Sequence, residues 1–167
     1  MIEFQTFSEL MAELHMEASY IFENKIALMI LVFFFFVATY TDMTEMKIYD
    51  RFNQALAFLR ICLFPLIPVT SSSIIGFVIG FFVLLIPAIM LMHQCGGDIK
   101  FVSILGTYLG GGLTIIFMFL ACAYMLIYSG IRKIQTKQAV KHIATPFAPF
   151  FFLSFITIWM LFGFGVF

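Results

Sequence analysis

Charge is what this sequence has least of. Only 11% of its 167 residues are Asp, Glu, Lys or Arg, against 63% hydrophobic, and the mean hydropathy is +1.09. A soluble domain of this size has too little interior to hide so many apolar side chains, so lipid must serve as solvent. The basic and acidic residues cancel to a formal net charge of zero, which leaves no global field to attract nucleic acid. The three cysteines, Cys62, Cys95 and Cys122, form no C-x-x-C pair, which excludes the common zinc and redox spacings. No H-E-x-x-H is present, and Gly110-Gly111-Gly112 is not followed by the Lys-Ser/Thr of a phosphate loop. His15, His93 and His142 are single, with no persuasive Ser/His/Asp or Cys/His set. The first 24 residues carry five glutamates and no basic n-region, so no cleavable signal peptide is expected.

What remains is a series of apolar runs. Residues 1–24 form a polar N-terminal segment, in which Glu9, Glu13 and Glu17 recur every four residues and line one face of a helix. The simplest expectation is a solvated or interfacial lead-in; contact with a partner is the sharper alternative. Six spans then follow over residues 25–167: 26–40, 52–69, 74–92, 99–109, 113–128 and 147–167. Ser71-Ser72-Ser73 and Gly110–Gly112 are expected as turns, and Pro146 and Pro149 stand at the entrance of the last helix. Arg60 lies inside the second span; snorkelling to the nearer face is expected, with pairing to an aspartate as the alternative.

The basic residues set the orientation. Lys47, Arg51, Lys100 and the group from Arg132 to Lys141 fall in the loops after spans one, three and five, while the other loops carry no charge. The positive-inside rule makes the odd-numbered loops cytoplasmic. The fold class is therefore an all-α integral membrane protein of about six transmembrane helices, N-terminus outside, in the cell's cytoplasmic membrane.

This topology brings two carboxylates to one side. Asp98 is the only acidic residue after Asp50, and it sits at a span junction after Gly96 and Gly97. A carboxylate at the edge of a membrane helix is costly and marks a functional site by default. Asp42 emerges on the same side. Two carboxylates held close cannot both ionise cheaply, so they share a proton. One can then activate water while the other protonates a carbonyl oxygen, with no metal or cofactor. Mg²⁺ between them would need further oxygen ligands, and no such cluster is visible. Glu45 and Asp50 share the loop of Asp42 and remain its rivals. Gly96 and Gly97 would leave room for an extended backbone beside Asp98.

These residues resemble the type IV prepilin peptidases, membrane aspartic proteases with a G-x-G-D motif. Asp42, with Ile48 six residues later, looks like the family's first-aspartate motif. Gly97-Asp98-Ile99-Lys100 looks like the second, and Pro146-Phe147-Ala148-Pro149-Phe150 is similar to the family's entrance to its last span. Three positions depart: the first motif glycine is Cys95, and the Pro-Asn of the first motif is Tyr49-Asp50. The resemblance implies Asp42 and Asp98 as the acid–base pair, Gly96 and Gly97 as shapers of the loop, and Lys100 as an orienter of a carboxylate or a contact for substrate. It implies a prepilin or pseudopilin substrate with a basic leader, cut at the cytoplasmic membrane boundary. The four-cysteine domain of larger members is missing, so N-methylation is not expected. Two other functions fit the composition: a silent relative serving as an assembly subunit, and a small transporter or channel component.

Overall fold

A computed structural model describes residues 7–65, 67–91, 96–136 and 146–163. Among these residues it is all-helical, with α1 (Phe7–Phe22), α2 (Lys25–Glu45), α3 (Asp50–Cys62), α4 (Ser71–Leu91), α5 (Gly96–Leu109), α6 (Gly111–Thr136) and α7 (Ala148–Gly163). His93, Cys95, Lys137, Lys141 and His142 lie outside the described residues. Two helices, α2 and α6, are long and apolar enough to cross a membrane, and α4 and α7 are apolar as well. Their outer faces expose Met29, Phe33, Phe36, Phe119 and Leu126, the surface that hydrocarbon covers in a membrane helix.

The expected boundaries shift in places that local chemistry explains. The second segment is helical only to Cys62, giving 13 residues, or about 20 Å at the standard rise. Pro65 and Pro68 follow, and proline cannot continue the hydrogen-bond ladder. Ser71–Ser73 is not a turn but the first turn of α4. Thr70 and Ser73 cap it reciprocally: Ser73 N–H donates to Thr70 Oγ1 and Thr70 N–H donates to Ser73 Oγ, each at 3.3 Å. Of the three glycines expected as a turn, only Gly110 lies outside a helix, with φ +81°. Arg132 and Lys133 sit on the last turns of α6, not in a loop.

The N-terminal helix packs into the bundle. Leu14, Ala18 and Ile21 are buried in the same apolar core as Leu31, Phe35, Leu105, Phe117 and Phe155. Asn24 separates α1 from α2 by capping the latter, its side-chain oxygen accepting from Ile26 and Ala27 N–H at 3.2 Å each. The tightest helix pair is α4 on α5. Gly76 and Gly106 face each other so closely that a Cβ on either would collide with the other's carbonyl, the close approach that small residues permit between membrane helices.

The bundle has two polar ends. One gathers the C-terminus of α2 and the N-termini of α3, α5 and α7. The other gathers the C-termini of α3 and α5, the N-termini of α4 and α6, and Glu17 from α1.

Candidate active site

The first end holds both predicted aspartates. Asp42 lies in the last turn of α2 and is only 5% exposed. The helix stops four residues later, where Met46 adopts a left-handed conformation (φ 54°) and its N–H closes on the Asp42 carbonyl at 3.0 Å. Asp42 Oδ2 accepts a hydrogen bond from Ala148 N–H at 2.8 Å. Ala148 is the first residue of α7, so its N–H has no partner within that helix. The next residue is Pro149, which has no N–H at all. Asp42 thus meets the positive end of a helix dipole, which favours a negative charge there.

Asp98 stands in the first turn of α5, ahead of the apolar stretch of that helix. It makes no hydrogen bond among the described residues. Burial, and after it the negative charge of Asp42, push its carboxyl up to about 7. The two aspartates are therefore electrostatic neighbours in unlike surroundings. One is met by a helix N-terminus, and the other is half-buried with no donor among the described residues.

Gly96, Gly97 and Asp98 were expected in a loop and are helical. Gly97 carries a specific steric demand, because a Cβ there would strike the Ile48 carbonyl. No atom crowds the corresponding position at Gly96. The Ile48 backbone thus occupies the space beside Gly97, where room for an extended chain was expected. Asn53 holds the same turn from α3, its Nδ2 donating to the Gly97 carbonyl at 3.0 Å. Asn53 is buried and escaped the sequence reading; a polar residue three positions into a helix gives no warning of its partner. The Ala148 bond to Asp42 was missed too, although the Pro-Phe-Ala-Pro patch carried its signal.

The rivals of Asp42 are engaged elsewhere. Asp50 pairs with Lys100 at 2.7 Å, both side chains more than half exposed. Lys100 therefore orients neither Asp42 nor Asp98. Glu45 accepts from the Tyr49 hydroxyl on the outer surface. A cleft of about 440 Å³ opens beside Asp98, walled by residues 46–51 and Gly97. Among the described residues no group of three or more His, Cys, Asp or Glu side chains could hold a metal ion.

Arg60 takes neither expected course. It is buried in the last turn of α3, toward the opposite end of the bundle. Nε donates to the Thr107 carbonyl at 3.1 Å, Nη1 to Ile67 at 2.8 Å and Nη2 to Pro68 at 3.2 Å. It also lies over the Tyr108 ring. Two of these carbonyls lie in the segment between α3 and α4, and the third is in the last turn of α5.

The model of the type IV leader peptidase family matches residues 29–130, more than half of the chain. The chain belongs to that family. The match runs from α2 through most of α6 and includes both Asp42 and Asp98. The Pro-Phe-Ala-Pro patch lies beyond it. Membership in a leader peptidase family, with the long apolar helices, makes this a peptidase-family membrane protein of all-helical fold. No curated protein and no solved structure is significantly similar to it.

Proposed function

We propose that this leader-peptidase family member is a membrane aspartic endopeptidase whose acid–base pair is Asp42 and Asp98. The observation that carries the reading is the asymmetry of the pair: a half-buried Asp98 feels the charge of Asp42, while Asp42 is met by the N-terminus of α7. Asp42 is the charged member and takes a proton from the attacking water. Asp98 is the protonated member and donates to the carbonyl oxygen of the scissile peptide as the tetrahedral centre forms. No covalent intermediate is required.

The membrane arrangement follows from charge. Lys47, Arg51, Lys100, Arg132 and Lys133 all lie at the carboxylate end of the bundle, so that end faces the cytoplasm and α2–α7 carry the six crossing segments, the one in α5 beginning at Ile99, after Asp98. α3 and α5 have only 13 and 14 residues, fewer than the roughly 20 that span a bilayer; within the bundle, neighbours cover their ends. The substrate is a prepilin or pseudopilin, cut where its basic leader meets its apolar helix.

The test is cleavage of such a substrate by the protein reconstituted in liposomes, with the product mass measured. Wild type and Asp50→Asn are expected to release the leader, and Asp42→Asn and Asp98→Asn are not. An Asp98→Asn protein that cuts like wild type would refute the mechanism. A folded wild type that leaves a panel of prepilins intact would favour the assembly-subunit reading instead.

A further inference from the structure

Two buried side-chain atoms have no hydrogen-bond partner among the described residues: Thr39 Oγ1 on α2 and Asn53 Oδ1 on α3. Asn53 is only 2% exposed. Leaving such atoms unmet is costly, so a native structure supplies a reason for them.

Their placement gives the reason. Phe35 of α2 touches Phe101 of α5, with ring centroids 5.5 Å apart, and Phe34 touches Phe52 of α3 at 4.7 Å. One helical turn toward the carboxylate end from Phe35 is Thr39, and one turn from Phe101 in the same direction is Gly97. Asn53 follows Phe52 and is bonded to that same Gly97. Thr39 and Gly97 thus lie one turn nearer the carboxylate end than the Phe35–Phe101 contact, and Asn53 reaches that level through its bond to Gly97. Asp98, directly after Gly97 and three residues before Phe101, lies at about the level of this polar group, and Asp42 is three residues beyond Thr39 toward the carboxylate end.

We propose that Thr39 and Asn53 bind water in the seam between α2, α3 and α5, and that this water hydrates Asp98. Asn53 Oδ1 is an acceptor only, and an ionised carboxylate is an acceptor only. A water bridges two acceptors by giving one hydrogen to each. Thr39 Oγ1 offers both a donor and an acceptor to the same water or to a second one. A polar site with several partners is what a buried water requires. Thr39 and Asn53 are then positioning residues. They tune how easily Asp98 releases its proton, and their importance for cleavage rests on the reading of Asp42 and Asp98 as the reacting pair.

Among the described residues, the other charged and titratable groups around Asp98 are few. Asp42 faces it from α2, Lys47, Tyr49, Asp50 and Arg51 come from the cleft wall, and Lys100 of its own helix is held by Asp50. Next to the pair, the first residue of α7 contributes a backbone N–H.

The test does not depend on cleavage. The chain has three aspartates, Asp42, Asp50 and Asp98, so aspartate labelled with ¹³C at the side-chain carboxyl gives three signals. Asp98 is identified by the signal lost in Asp98→Asn. With Thr39→Val and Asn53→Leu combined, the water is expelled and the charged form of Asp98 loses its solvation. The Asp98 titration midpoint is expected to rise by at least half a pH unit, about a threefold change in proton affinity. Thr39→Val alone, nearly isosteric, should give a smaller rise in the same direction and serves if the double variant does not fold. A midpoint that stays put or falls in either folded variant overturns the proposal. If the midpoint rises as expected but no prepilin is cut by wild type, the water site stands and the peptidase reading fails.

Discussion

The two ends of the bundle hold charge in opposite ways. At one end Glu17 and Arg60 are fully engaged. Glu17 accepts from the Ser72 hydroxyl and, at 3.1 Å, from Leu113 N–H, so it caps the start of α6. Arg60 spends its donors on three backbone carbonyls. At the other end Asp42 has one backbone donor, and Asp98 has no hydrogen bond among the described residues. Charges of the first kind close helix ends and hold the bundle together. On the proposed reading, charges of the second kind are left poised for proton transfer, at a cost in stability that the rest of the fold carries.

Substitutions should separate the two ends by what they damage. The largest effect belongs to the carboxylates. Asp98→Asn is expected to lower cleavage by at least about 10²–10⁴-fold, the usual contribution of a general acid or base, while the melting temperature holds or rises. In wild type, cleavage should fall as pH rises through about 7, because Asp98 then loses the proton it donates; a rate that climbs steadily to pH 9 would assign the donor elsewhere. Next comes Arg60→Met, which keeps the stem but strands three carbonyls. We expect a loss of about 3 kcal/mol or more in denaturant unfolding, with the pH profile of cleavage unmoved; a shifted profile would mean that the two ends are coupled. Glu17→Ala should cost about 1–2 kcal/mol, the range of a lost helix cap, again without touching the profile. The smallest effect is expected from Lys100→Ala. Its pair with Asp50 is exposed on both sides and should contribute less than about 1 kcal/mol to stability. A cleavage defect there with normal stability would give Lys100 a role toward substrate.

Much of this division was legible in the residues. A lone acid in a long apolar chain, at a span junction, flagged Asp98, and the distribution of lysine and arginine put Asp42 on its side. The apolar runs marked α2 and α4–α7, because hydrocarbon length is written directly in composition. Other features depended on pairings between distant segments. Leu14, Ala18 and Ile21 form an i, i+4, i+7 stripe, but Ala18 is too small to stand out against the glutamates, so α1 reads as a surface helix. Glu17 belongs to the glutamate stripe by spacing, yet it turns inward because the starts of α4 and α6 offer it donors 55 and 96 residues away. Arg60 reads as snorkelling when depth alone is considered. Two of its true partners, the Ile67 and Pro68 carbonyls, lie in the non-helical segment that follows the early end of α3, and the third, at Thr107, comes from α5. Gly96-Gly97 reads as loop, and only the fold shows that Gly97 is needed by the Ile48 carbonyl.

The most direct test of the account is the carboxyl titration of Asp98 in the ¹³C-aspartate protein, wild type against Asp42→Asn. Coupling of the two carboxylates predicts a wild-type midpoint near the value of about 7 that burial and the Asp42 charge set. Removing that charge should lower the midpoint while leaving it above the ordinary aspartate value of about 3.9, since burial is the larger cause. A wild-type midpoint near 4, or one that Asp42→Asn does not move, would contradict the pair.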